Sequence, residues 1–183
     1  MLLLLFFQRV LKANDIEIIL NKADTSTKSG CEQILVEAAT LGAVGGIFNL
    51  NNVQSNNLAI GIHSKLFEDC LKLKAVAYKY LDEVSRELCP DLKYFVAFSS
   101  VTSGRGLPGQ SNNGMSNAIV ERIMEQRHEC GLPAKAIQWS LLRTDGLIAD
   151  NDIYDVLSHK NCLETIDVFF SIDEPIVSSM SKV

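Results

Sequence analysis

Short apolar runs that suit β-strands alternate with longer amphipathic patterns that suit helices along most of this chain. The predicted strands are Ile16–Leu20, Val44–Leu50, Tyr94–Ser99, Ala134–Ser140 and Pro175–Met180. The predicted helices are Cys31–Gly42, Leu66–Leu88, Gln110–Cys130 and Leu163–Phe170. Such alternation is typical of parallel βαβ units, so we expect an α/β fold with a doubly wound parallel sheet.

Length and charge narrow the possible functions. The 183 residues suit one domain, taken as residues 1–183, and the formal net charge of −5 provides no basic surface for nucleic acid. The apolar start MLLLLFF is shorter than a signal-peptide core, its basic residues follow it, and it is too short to span a membrane. We therefore expect neither nucleic acid nor a membrane as a partner.

The five cysteines form no metal-binding spacing. They are scattered, odd in number and contain no CxxC pair, at Cys31, Cys70, Cys89, Cys130 and Cys162. We interpret them as reduced, half-buried thiols of a cytoplasmic protein and expect no metal site. His63, His128 and His159 likewise have no neighbouring ligand triad in the sequence.

The segment Tyr94–Asn117, YFVAFSSVTSGRGLPGQSNNGMSN, indicates chemistry as well as fold. An apolar strand leads into paired serines, a glycine-rich turn and a helix start. Asn113 and Asn117 are four residues apart and therefore share one face of that helix. Taken without a family, the serines would be turn residues and the asparagines helix caps.

The ordered motifs FSS, GRG and GQ followed by a helical asparagine resemble the short-chain dehydrogenase/reductases. Within them, the pattern is most similar to the ketoreductase domain of animal fatty acid synthase. LVEAATLGAVGGIFNL and RIMEQRHECGLPAKAIQW extend the likeness over nearly the whole chain, from about Glu17 onward. The resemblance implies a Rossmann-like sheet and NADPH-dependent reduction of a 3-oxoacyl chain on acyl carrier protein. It also implies that the chain takes part in fatty acid biosynthesis and has the other domains of a synthase as partners.

The resemblance places three catalytic residues of such reductases in this chain. Ser100 matches the serine that holds the substrate carbonyl. Lys74 matches the lysine whose charge keeps the catalytic phenol acidic, and Asn117 matches the asparagine that positions this lysine. Without the family, Lys74 would be interpreted as a surface charge. The fourth position, a tyrosine in the family, is Asn113.

Asn113 cannot do what the family's tyrosine does. An amide surrenders no proton near neutral pH, so it can hydrogen-bond a carbonyl but cannot act as its general acid. Losing general acid catalysis costs typically about 10²–10⁴-fold in rate. Tyr78, Tyr80 and Tyr94 lie elsewhere and offer no evident substitute. We therefore expect this chain to be inactive as a reductase.

The cofactor half of the resembled fold is also incomplete. A Rossmann-type domain needs a glycine-rich turn after its first strand, and no GxGxxG is present near the start of this sequence; Gly45 and Gly46 lie inside a predicted strand. We expect the first strands to be absent, so that the sheet lacks its centre. By resemblance the remaining NADPH-binding residues are Asp24, Asn49, Ser140 and Leu142, although Asp24 is equally a turn aspartate. Trp139 is interpreted as core.

Two functions of different classes remain open. The first is a reductase of the fatty acid synthase type acting on 3-oxoacyl chains. The second is a non-catalytic remnant that packs against neighbouring synthase domains, or a truncated product of a longer synthase. Asn113 and the missing glycine-rich turn favour the second for this polypeptide.

Overall fold

A computed structural model describes residue 14 and residues 16–51, 64–140 and 159–179. Four strands form one sheet in the order β1 (Gly46–Asn49), β2 (Tyr94–Ser100), β3 (Lys135–Trp139) and β4 (Ile176–Ser179). Every neighbouring pair is parallel. The predicted α/β fold is confirmed, with each strand within a few residues of its predicted bounds.

Helices connect these strands and confirm the predicted alternation. They are α1 (Lys28–Ala39), α2 (Ser64–Cys70), α3 (Ala77–Leu88), α4 (Thr102–Arg105), α5 (Ser111–Glu129) and α6 (His159–Ser171). A π-helical segment, Leu71–Val76, joins α2 to α3, so the predicted helix Leu66–Leu88 is one continuous rod with a wider middle turn. Gly131 ends α5 at φ +70°, which explains the glycine there.

The predicted strand Ile16–Leu20 is wrong. These residues have extended or irregular backbone and pair with no strand of the described chain, and Ile16 and Leu20 are about half exposed. Their β-branched composition favours an extended chain, but a strand exists only where a neighbour supplies hydrogen bonds.

Helices cover both faces of the sheet. One core packs α1, α3 and α5 against the sheet through residues that include Cys31, Leu81, Phe95 and Met124. The other packs α6 against Val96, Ile137, Trp139 and Val177. Each fully buried apolar side chain contributes roughly 1.5–3 kcal/mol. The two cores hold the strand ends in a fixed arrangement.

Arg127 ties α5 to α3 inside the first core. Its guanidinium donates to the Asp82 carboxylate and to the Ser85 hydroxyl at 3.2 Å, and its Nε donates to the Pro133 carbonyl at 3.1 Å. The guanidinium carbon also lies 3.9 Å from the centre of the Phe95 ring. The segment that carries Lys74 continues into α3, and α5 carries Asn113. This contact therefore fixes the positions of these two predicted catalytic residues relative to each other.

Candidate functional site

Polar residues collect where the parallel strands end. Asn49 ends β1, Ser100 ends β2, and Ser140 directly follows β3. The carboxyl ends of parallel strands meet at one edge of a sheet, and ligands of open α/β folds bind there. Buried polar atoms without a hydrogen-bond partner among the described residues occur at this edge: Asn49 Nδ2, Ser140 Oγ, Thr102 Oγ1 and Trp139 Nε1. They mark this edge as the candidate site.

Lys74 enters the site from the π-helical segment. Only 4% of the residue is exposed, and its Nζ donates to the Phe98 carbonyl of β2 at 2.9 Å. Burial lowers the pKa of Lys74 to about 8, while the negative charge of Glu121 acts in the opposite direction. The lysine is therefore not a surface charge: it is a buried amine whose charge changes near neutral pH.

Asn113 and Asn117 form a pair on α5. The Asn117 amide donates from Nδ2 to Asn113 Oδ1 at 3.0 Å, and Asn113 Nδ2 donates to Gln110 Oε1 at 3.3 Å. Asn117 is fully buried, and its Oδ1 has no partner among the described residues. The prediction that Asn113 and Asn117 share one helix face is confirmed. Their hydrogen bond leaves Asn117 Oδ1 as a buried acceptor without a partner in the described chain.

The corner between β2 and α5 brings Ser100 beside the start of α5. Ser100 Oγ accepts a hydrogen bond from the Thr102 amide at 3.3 Å. A Cβ on Gly114 would lie 2.9 Å from the Thr102 carbonyl, so glycine lets α4 and α5 approach closely. Ser100 and Asn113 thus adjoin the same backbone contact, while the roles that the resemblance assigns to them remain predictions.

Sequence reasoning missed Glu121, which organises the same corner. Its buried carboxylate accepts hydrogen bonds from Ser99 Oγ and from Ser103 Oγ, the latter at 2.6 Å. Gln138 Nε2 of β3 extends the network by donating to Ser103 Oγ at 3.0 Å. Glu121 lies one turn beyond Asn117. The sequence signal that could have identified it is the recurrence of polar residues at every fourth position of a helix that packs on the sheet.

The predicted cofactor residues fit only part of a dinucleotide. Asn49 Nδ2 and Ser140 Oγ are open at the strand ends, where they could donate to the nicotinamide half. Asp24 is exposed and shapes the turn before α1: its Oδ1 accepts a hydrogen bond from the Ser26 backbone amide at 2.9 Å, and its interactions with Ser26 lower its pKa. Leu142 lies outside the described residues. No glycine-rich turn lies near the start of the sequence, where a Rossmann-type domain holds the pyrophosphate.

The remaining candidates are structural. Tyr78 is buried, and its hydroxyl lies within hydrogen-bond distance of the Asn49 carbonyl, at 2.6 Å, and of the Val96 carbonyl, at 3.2 Å, which holds it in the core. Trp139 is core, as predicted, and stacks on Phe98. Three cysteines are buried, Cys162 is partly buried and Cys130 is exposed, which differs from the uniform half-burial expected. In the described ranges, no His, Cys, Asp and Glu side chains cluster as metal ligands and no helix is long and apolar enough to cross a membrane.

We predict that Lys74→Met stabilises the fold by about 2 kcal/mol at pH 7, because it removes a buried charge and sacrifices one hydrogen bond. The pKa of Lys74 is lower in the folded state than in the unfolded state, so the cost of its charge is fully present below pH 8. That cost disappears as pH rises from about 8 towards the ordinary lysine value. Urea denaturation at several pH values measures the difference.

Lys72→Met is the matched control, because Lys72 lies in the same segment and is exposed. Its effect should be within about 0.5 kcal/mol at every pH. The charge argument would be contradicted if both variants gained the same stability, or if the stability gained by Lys74→Met did not shrink as pH rises.

Comparison with known proteins identifies the family. The KR domain model matches residues 7–144. Polyketide synthase GfsA of Streptomyces halstedii is 28% identical over 138 residues, and highly reducing polyketide synthase ACTTS3 of Alternaria alternata is 32% identical over 117 residues. The matched parts are 75% and 62% of this chain, but 2% and 4% of those synthases.

Solved structures agree with the fold. An N-terminal ketoreductase from the macrolactin assembly line has a TM-score of 0.83 at 21% identity over 93% of this chain and 35% of its own. A ketoreductase domain from the bacillaene assembly line has a TM-score of 0.84 at 20% identity over 94% of this chain and 45% of its own. The chain spans less than half of either structure. On the match of residues 7–144, this chain belongs to the KR domain family of ketoreductases of the short-chain dehydrogenase/reductase type.

Proposed function

We propose that this chain is a ketoreductase-type domain of a multidomain synthase that does not itself reduce carbonyl groups. The observation that carries the proposal is the amide at position 113. Asn113 gives one hydrogen bond to Gln110 and takes one from Asn117, and neither contact supplies a transferable proton. Asn117 pairs with it, and together with Lys74 and Ser100 at the same edge of the sheet it could orient a carbonyl group without protonating it.

The substrate class follows from the relatives and the motifs. The similar proteins are named polyketide synthases, whereas FSS, GRG and GQ resemble the ketoreductase of animal fatty acid synthase. Both assignments imply a 3-oxoacyl chain carried by acyl carrier protein. The finer kinship with fatty acid synthase is part of this proposal.

A second function, packing against other synthase domains, is supported by the open side of β1. Within the described chain β1 pairs only with β2, and Phe48 and Leu50 of this edge are exposed. A groove of about 430 Å³ lies between β1 and α1, lined by apolar residues that include Ile34 and Leu35. Unpaired strand edges with apolar side chains favour contacts with other chains. This role is compatible with the loss of reductase activity.

The direct test of the proposal is cofactor binding and turnover by the 183-residue chain. We expect no saturable NADPH binding in the micromolar range and no NADPH oxidation with trans-1-decalone above background, because the chain lacks the pyrophosphate turn and the proton donor. Cofactor fluorescence and absorbance measure the two quantities. Saturable binding with turnover would establish the reductase function instead.

A further inference from the structure

We propose that the ε-amine of Lys74 is a nucleophile that condenses with 3-oxo compounds, independently of any cofactor. This is a different activity from carbonyl reduction, although it uses the same edge of the sheet. It rests on the position of the amine, on the groups that face it and on an open acceptor on the neighbouring helix.

The amine has few partners for a buried lysine. An ammonium group carries three N–H donors, and Lys74 Nζ has one hydrogen bond within the described residues, to the Phe98 carbonyl. No carboxylate of the described chain lies within ion-pair distance of Nζ. Buried charges are normally paired, so this arrangement lets the amine lose its proton more readily than an exposed lysine does, and the neutral form has a lone pair available for attack.

The titratable groups around Lys74 come from two neighbouring helices. Glu121 of α5 acts on the amine as a negative charge, but its carboxylate is occupied by the hydroxyls of Ser99 and Ser103. Cys70 of α2 is buried, and desolvation first of all raises the pKa of its thiol, so it is neutral at pH 7. Glu121 therefore moderates the acidity of Lys74 without binding it.

The neighbouring helix also carries a buried acceptor without a hydrogen-bond partner in the described chain. Asn117 is fully buried one turn before Glu121, and its Oδ1 has no partner in the described chain. A hydroxyl formed on the attacked carbon could donate to this oxygen. An unsatisfied acceptor in a buried site is unfavourable, and a bound hydroxyl would relieve that cost.

The condensation needs no further reactant. The nitrogen lone pair forms a C–N bond while the carbonyl π electrons move to oxygen, which takes up a proton released from nitrogen. The resulting hydroxyl then leaves as water, taking the second nitrogen proton, and the product is an imine. With a 1,3-dicarbonyl compound the imine rearranges to an enaminone, which absorbs in the near ultraviolet.

The test uses 2,4-pentanedione as a cofactor-free probe of the whole 183-residue chain. At about pH 7.5 the neutral fraction of a lysine with the pKa of Lys74 exceeds that of an ordinary lysine by roughly 100-fold. We expect Lys74 to be labelled about 100-fold faster than Lys72 and Lys79, as measured by enaminone absorbance and mass spectrometry of peptides. Its labelling should slow as pH falls below 8.

Three variants complete the test. Lys74→Arg should lose the fast label, whereas Lys72→Arg should keep it. Glu121→Gln removes the negative charge that raises the pKa of Lys74, so labelling at neutral pH should become about 3-fold faster. The site-resolved rates of the unmodified protein need no variant to fold.

Labelling of Lys74 no faster than Lys72, or confined to exposed lysines, would overturn the proposal. Because no NADPH is present, this outcome is independent of whether the chain reduces ketones.

Discussion

Asn113→Tyr is expected to raise NADPH oxidation with trans-1-decalone by about 10²–10⁴-fold when it is made in a chimera that supplies a glycine-rich strand-to-helix turn. The chimera joins this chain to the cofactor half of a functional relative. Position 113 lies one turn before Asn117 on α5, beside the corner that carries Ser100. A phenol there would add the general acid that the amide cannot be, and the comparison is with the same chimera carrying Asn113.

Asn113→Phe in the chimera is the matched control, because it adds the ring without the hydroxyl and should stay at background. Asn113→Tyr in the 183-residue chain alone should also stay at background, since no glycine-rich turn for the pyrophosphate lies near the start of this sequence. Activity of the chain with this one substitution would show that the cofactor half is not needed. Equal rates for the Phe and Tyr variants of the chimera would show that the phenol hydroxyl does not act as a general acid.

The parts of the fold predicted well are those whose signals are local. The strand Tyr94–Ser100 ends in serines and α5 ends at Gly131, where a positive φ favours glycine. Asn113 and Asn117 pair as their spacing predicts, because four residues make about one helical turn. In each case the residues that decide the structure lie within a few positions of it.

The parts that failed depend on distant partners. Ile16–Leu20 has the composition of a strand, but pairing is set by a neighbour that these residues do not encode. The π-helical turn at Lys74 has no sequence signal, and the contact of its amine with the Phe98 carbonyl joins residues 24 positions apart. Glu121 was overlooked because its serine partners come from another element. Tertiary contacts decided all three.

The buried ion pair between α3 and α5 shows how strongly such distant contacts hold the site. The Arg127 side chain is 2% exposed, and Asp82, at 18%, supplies its counter-charge. Desolvation first of all lowers the pKa of Arg127, and the hydrogen bond to Asp82 opposes that shift. Removing one partner of a buried pair leaves a buried charge uncompensated, which costs about 3–5 kcal/mol.

Asp82→Asn is therefore expected to destabilise the protein by about 3–5 kcal/mol in urea denaturation, although asparagine is nearly the same size. Arg127→Met removes the charge itself and should cost less than Asp82→Asn, because a flexible apolar side chain can fill part of the space against Phe95. Glu83→Gln is the control: its pairing with Lys28, at 3.6 Å, is exposed and should change stability by less than about 1 kcal/mol. If Asp82→Asn costs no more than Glu83→Gln, Arg127 does not depend on its counter-charge, and hydrogen bonds to Ser85 and Pro133 suffice to join the two helices of the site.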